Sequence, residues 1–175
     1  MLLETLKNQL NEKQPLFIGE ESAHRFAVII PVVQVDGEFH ILFEVRSFKM
    51  RKQPGDISFP GGRIDADDPT PLQAALRELN EELGVKPETV TVIGQLSPYV
   101  ASSSFVVYPY VATFDYKEIL PFYNKDEVEE VFIVPVKWFL NHKPYMHLVS
   151  VEPVPSPDFP FEKIYNGSNY KWRLN

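Results

Sequence analysis

The sequence contains no cysteine. That removes disulfides, zinc–thiolate centres and thiol nucleophiles from consideration, and it fits a reducing cytoplasm. Histidine is scarce: His24, His40, His142 and His147 fall at no metal-ligand spacing and read as ordinary surface or partly buried residues. No apolar run approaches the roughly 20 residues that a membrane-spanning helix needs, so no membrane role is expected. The N-terminus, MLLETLKNQLNEK, lacks a basic start, an apolar stretch and a small-residue cleavage site, and does not read as a signal peptide. Repeats and low-complexity segments are absent too. Positive charge is in deficit: 17 Lys and Arg against 24 Asp and Glu leave a net charge of −7, which argues against a general nucleic-acid binder. A polyphosphate stays open as a ligand, because local cations or a bound metal can hold it on an acidic protein.

What is present suits one domain over residues 1–175 with a substantial core, 44% of the chain being hydrophobic. Leu2, Leu3, Leu6 and Leu10 recur at helical spacing, so a short amphipathic helix is expected over 1–13. Residues 25–35 read as a strand, Asp36-Gly37 as a tight turn, and 38–46 as the returning hairpin partner. Gln53-Pro54-Gly55 leads to a short extended piece, 56–59, and then to Pro60-Gly61-Gly62. Residues 89–96, 104–115 and 128–134 alternate like strands, Trp138 to Leu140 begin a short helix, and the prolines of 153–160 demand irregular chain. The mixture predicts an α+β fold with helices on a mixed sheet.

The clearest helix runs from Pro71 to Leu83. Thr70 is its expected N-cap, Pro71 suits the first position, Gln73 completes a capping box, and Gly84 ends it. Leu72, Ala75, Leu76, Leu79 and Leu83 form an apolar stripe. Glu78, Glu81 and Glu82 share another face, which we expect to lie exposed opposite that stripe. Three glutamates on a helix are ordinary in themselves, since most such faces are simply solvated. Their mutual repulsion would reverse sign only around a hard cation, which needs several oxygen ligands.

The surrounding residues change the weight of that triplet. From Gly62 to Val85 the chain reads GRIDADDPTPLQAALRELNEELGV. This resembles the Nudix box, G-x5-E-x7-R-E-U-x-E-E-x-G-U with U a bulky aliphatic. Gly62, Arg77, Glu78, Leu79, Glu81, Glu82, Gly84 and Val85 match. Asp68 stands where the pattern has Glu, and eight residues rather than seven separate it from Arg77. The resemblance implies an α/β/α sandwich, a mixed sheet packed between helices. It also implies Mg2+ or Mn2+ held by Glu78, Glu81, Glu82 and the Gly61 carbonyl, with Glu81 catalytic. Arg77 would pair with one of these carboxylates. Gly61 and Gly62, lacking side chains, let backbone approach metal and phosphate.

A second motif runs into the first. Residues 42–62, LFEVRSFKMRKQPGDISFPGG, are similar to the signature of coenzyme A pyrophosphatases, L-L-T-x-R-S-x3-R-x3-G-x3-F-P-G-G. Leu42, Arg46, Ser47, Arg51, Gly55, Phe59, Pro60, Gly61 and Gly62 match, whereas Phe43 and Glu44 depart from it. Arg46, Ser47, Lys49, Arg51 and Lys52, with Gly61 and Gly62, are therefore expected to bind substrate. Any one of these cations alone reads as a solvated loop residue, but four together in an acidic protein favour anion recognition. Glu127, with Glu130 as alternative, would supply the late carboxylate that many Nudix enzymes use as extra ligand or base.

The implied function is metal-dependent cleavage of the diphosphate of coenzyme A or a derivative, as a monomer or homodimer acting on a small molecule. ADP-ribose or NADH is the alternative substrate, and a non-catalytic ligand-binding module the alternative of another class. Toward Asn175 the likeness thins: there is no room for the covering helix that the subfamily implies, so either the chain continues or something else covers that face.

Overall fold

The computed structural model describes residues 23–102, 105–119, 123–149, 154–165 and 167; the helix expected over 1–13 lies outside the described residues. The chain divides into two compact units, residues 1–142 and 143–175. In the smaller unit the described residues are irregular apart from a single 3-10 turn, Phe161–Lys163, as the proline density of 153–160 demands.

The larger unit is built on a mixed eight-stranded sheet. Strand β1 (His24–Val35) turns at Asp36 and Gly37, with φ 52° and 81°, into β2 (Glu38–Arg46). Two positive φ values in a two-residue loop match the right-handed twist of the flanking strands. Short strands β3 (Ile57–Ser58) and β4 (Gly61–Arg63) follow, then helix α1 (Pro71–Leu83). Next come β5 (Thr91–Gln95), β6 (Tyr99–Ser102), β7 (Phe105–Thr113), β8 (Val128–Pro135) and helix α2 (Val136–Asn141). Strand β6 was not foreseen from the sequence.

One edge of β1 pairs with β7, in parallel from His24↔Phe105 to Pro31↔Ala112. Its other edge meets β4 at Phe26–Val28 and β2 at Val32–Val35, both antiparallel. Strand β8 extends the sheet beyond β2, and the register slips between Val45 and Arg46, where Val45 faces Glu130 but Arg46 faces Val128. A bulge of this kind bends the strand and re-aims side chains. Here it starts the loop from Arg46 to Asp56, closed by the Arg46 amide donating to the Asp56 carbonyl at 2.9 Å.

Alternation along the strands separates the faces. Ala27, Ile29, Val33, Leu42, Val106 and Ala112 turn to one side, where Ala75, Leu79 and Leu83 of α1 complete the core. Phe43, on the other side of β2, stacks on Phe59 and Phe132 at 4.9 and 5.5 Å and meets Phe139 of α2 in a tilted contact at 6.1 Å. Helices thus cover both faces, giving the α/β/α sandwich. Helix α1 has the expected ends: Thr70 Oγ1 accepts from the Gln73 amide at 3.2 Å, and Gly84 closes it at φ 73°.

Candidate active site

The site begins where β4 presses the two glycines against β1. Gly61 has φ 152°, and a Cβ there would stand 2.3 Å from the Ala27 carbonyl oxygen, so no side chain fits. A Cβ on Gly62 would stand 2.4 Å from the carboxyl carbon of Glu78. The glycines therefore let the carboxylates of α1 touch the backbone of β4. Glu82 completes the contact: its Oε2 accepts from the Gly61 amide at 2.9 Å.

The expectation of an exposed glutamate face needs correction. Glu82 is only 4% exposed. It follows Ala75 by seven residues, nearly two turns, and so sits on the flank of the apolar stripe instead of opposite it. Glu78 is half-buried, and of the three only Glu81 is exposed. Arg77 holds this end of the helix. Its Nε and Nη2 donate to the two oxygens of Asp68 at 3.1 and 2.9 Å. Its Nη1 donates to Glu78 at 2.9 Å and Glu81 at 3.2 Å, and Nη2 also reaches the Arg63 carbonyl at 3.2 Å. Asp68, the departure from the box, thus receives the guanidinium fork, and that contact holds its carboxyl below the usual range.

Two carboxylates join from the sheet side. Glu127 lines the same cleft as Glu78 and Glu82, whereas Glu130 is exposed on β8 opposite Val45. The turn carrying Glu127 is tied to the helix end by the Asn124 amide, which donates to the Glu82 carbonyl at 2.7 Å. Glu44, which the sequence reading passed over as a motif mismatch, is 1% exposed. Its Oε1 accepts from Ser58 at 3.1 Å, while its Oε2 is buried without a partner among the described residues. A charge in the middle of an apolar strand was the available signal. Burial, followed by repulsion from Glu44, pushes Glu82 up to about 9. Burial pushes Glu44 up to about 7, against the Ser58 hydrogen bond and the Arg46 charge. Glu78 is also raised by burial, with Arg77 opposing.

The cleft has a volume of about 860 Å3. Arg46, Lys52, Gly61 and Gly62 line it, as do Arg63 and an apolar wall of Phe26, Val28, Phe105 and Val107, which the sequence reading did not single out. The remaining expected binders sit elsewhere. Ser47 is fully buried, its amide donating to the Glu127 carbonyl at 2.8 Å, so it anchors the loop. Lys49 is exposed and has a partner, Asp126, at 2.8 Å. Arg51 faces solvent and does not line the cleft. Two histidines pack on aromatic rings: His24 meets Phe105 in a tilted contact at 5.5 Å and His142 stacks on Trp138 at 4.5 Å.

These residues fit a hard divalent cation. Three carboxyls are held above their ordinary range, and the guanidinium beside Glu78, Arg77, already donates to Asp68, Glu78, Glu81 and the Arg63 carbonyl. Extra positive charge with room for oxygen ligands would relieve them. Among the described residues no three His, Asp or Glu side chains already converge on one ion. Glu78 and Glu81 are turned onto Arg77 and Glu82 onto the Gly61 amide, so these carboxylates would have to rotate off their donors to hold an ion.

Fold and site together define a class: an α/β/α sandwich whose loop–helix segment presents glutamates to a basic-rimmed cleft. The NUDIX domain model matches residues 23–153, and the chain belongs to the Nudix family. Peroxisomal coenzyme A diphosphatase NUDT7 of Mus musculus is 39% identical over 125 residues, 71% of this chain and 52% of that protein. Nudix hydrolase 3 of Caenorhabditis elegans is 35% identical over 138 residues, 77% of this chain and 57% of that protein. The chain spans little more than half the length of these curated relatives. A C. elegans Ap4A hydrolase binary complex shares the fold, with a TM-score of 0.52 at 19% identity over 67% of this chain and 84% of that one.

Proposed function

We propose that the chain is a metal-dependent pyrophosphohydrolase that cleaves the diphosphate of coenzyme A or a derivative to adenosine 3′,5′-bisphosphate and 4′-phosphopantetheine. The observation that carries this reading is one cleft lined by Glu78, Glu82 and Glu127 together with Arg46, Lys52 and Arg63. A diphosphate is the ligand that needs both: cations for its oxygens, and carboxylates to hold metal and water against its phosphorus. The match of Leu42, Arg46, Ser47, Gly55, Phe59 and Pro60 to the coenzyme A pyrophosphatase signature supports the substrate, as does the likeness to the mouse diphosphatase.

Glu78, Glu81, Glu82 and the Gly61 carbonyl would hold Mg2+ or Mn2+, which neutralises phosphate oxygens and lowers the pKa of a bound water. Glu127, on the cleft wall, would be placed to take a proton from an attacking water, with Glu81 the alternative carboxylate. Arg46, Lys52 and Arg63 orient the phosphates through charge-assisted hydrogen bonds. Phe26 and Phe105, stacked at 5.9 Å, offer an apolar wall to the adenine. Arg77 does not face the cleft; it is a positioning residue that fixes Glu78 and Glu81.

The test is turnover of coenzyme A, its dephospho analogue, ADP-ribose and NADH with Mg2+ and with Mn2+, products identified by mass. Coenzyme A should be split into the two named products, and only with metal. A wide preference for ADP-ribose or NADH would move the substrate to another nucleoside diphosphate. Tight nucleotide binding without turnover would favour a non-catalytic module, a reading that the complete set Arg77, Glu78, Glu81 and Glu82 disfavours. No described helix is long and apolar enough to cross a membrane. The lack of cysteine suits the cytoplasm, the compartment we propose, whereas the mouse relative is named for the peroxisome; fractionation of the tagged protein decides between them.

A further inference from the structure

We propose that Glu44 is an additional carboxylate ligand of the divalent-cation centre, supplied by the sheet and not by the helix–loop segment. The proposal rests on the metal-dependent reading above and adds a residue that neither sequence motif assigns.

The placement of Glu44 is costly unless something compensates it. It lies within the apolar run Leu42-Phe43-Glu44-Val45, at a position where the coenzyme A pyrophosphatase signature has threonine. It pairs across the sheet with Ser58 on one side and Val131 on the other. At 1% exposure it has no access to bulk water. Ser58 serves one oxygen, and the other, Oε2, has no hydrogen-bond partner among the described residues. A buried carboxylate with an empty lone-pair face is rare in proteins and marks a missing partner.

The neighbours narrow that partner to a cation. Glu44 is within electrostatic range of Glu82, Glu78 and Glu127, and Ser58, which holds it, lines the same cleft. A buried carboxylate with several like charges and the Arg46 guanidinium in range, and one oxygen left over, is suited to accept a positive ion. Arg46, two residues along β2, does not hydrogen-bond to Glu44, and its own Nε is buried without a partner among the described residues. An ion pair between the two is therefore the rival role, and the experiment separates it from ligation.

Metal-depleted full chain is titrated with Mn2+ by calorimetry, with free Mn2+ followed by electron paramagnetic resonance, for wild type, Glu44→Gln, Glu44→Thr and Glu82→Gln. Melting temperatures are recorded with and without Mn2+. Gln keeps an oxygen for Ser58 and removes the charge; Thr is the signature residue and guards against a fold defect peculiar to Gln. The expected result is Mn2+ affinity reduced about 10- to 100-fold in both Glu44 variants. The metal-free Glu44→Gln protein should melt no lower than wild type, because repulsion with Glu82 is gone, while its Mn2+-induced rise in melting temperature shrinks. Mn2+ affinity within about twofold of wild type in both Glu44 variants, beside a large loss in Glu82→Gln, would overturn the proposal and leave the metal-dependent reading standing. So would a lower metal-free melting temperature with the Mn2+-induced rise intact, the signature of a pair with Arg46. Absence of Mn2+ binding by wild type would overturn both.

Discussion

Removing Arg77 should unseat the helix face that presents the glutamates, and its cost can be worked from the contacts. The guanidinium makes two hydrogen bonds to Asp68, one each to Glu78 and Glu81, and one to the Arg63 carbonyl. Its partners are unequally buried: the side chains of Asp68, Glu78 and Glu81 are 8%, 17% and 51% exposed. A hydrogen bond to a charged group contributes about 1.5–3 kcal/mol, but bonds that share one guanidinium do not add. Breaking a buried pair by deleting one partner costs about 3–5 kcal/mol. Arg77 is itself 30% exposed, so water screens part of the loss, and we expect Arg77→Ala to destabilise by about 2–4 kcal/mol. Arg77→Lys keeps the charge but not the fork, and should lose about 1–2 kcal/mol. Urea unfolding of the metal-free protein at pH 7.5 measures both. Asp68→Asn, alone and combined with Arg77→Ala, completes a cycle whose coupling should lie near 1–3 kcal/mol. A loss below about 0.5 kcal/mol for Arg77→Ala, or lysine matching arginine, would refute the view that this fork organises the box.

The metal-free protein should lose stability as pH rises. Glu44 and Glu82 keep their protons above the ordinary value of 4.5 only when folded, so between about pH 4.5 and 7 the folded state binds more protons than the unfolded one. That stability is present in full below about pH 4.5 and is lost as pH rises through 7; a flat or rising urea-midpoint profile over that window would refute this. Glu82→Gln, which still accepts from the Gly61 amide, should stay folded by circular dichroism and lose about 10²–10⁴-fold in kcat; near-normal turnover would remove α1 from the catalytic machinery. Lys52→Ala, on the cleft wall, should cut kcat/KM for coenzyme A by about 10- to 150-fold, as expected for one lost phosphate contact, and cost less on the dephospho analogue. Arg51→Ala, facing solvent, should cost under about threefold on either substrate; a larger effect would mean that the loop closes over the ligand.

Features governed by neighbours along the chain were legible before any tertiary packing was known. The hairpin at Asp36-Gly37 and the ends of α1 at Thr70 and Gly84 follow from backbone chemistry within a few residues. The regular spacing of Arg77, Glu78, Glu81 and Glu82 was legible for the same reason. Burial and partnership across the sheet were not legible, because they depend on which strand lies opposite. Glu82 looked solvated until β4 was packed against it, and Lys49 read as a substrate-binding cation although Asp126, far along the chain, meets it. Strand β6 forms by pairing with β7 and carries little pattern of its own. The largest shift concerns Glu44, a mismatch to a motif when read along the chain. Only the closure of β2 between β3 and β8, under the end of α1, makes it a buried carboxylate beside Glu82, since burial and repulsion act through space and not along the backbone.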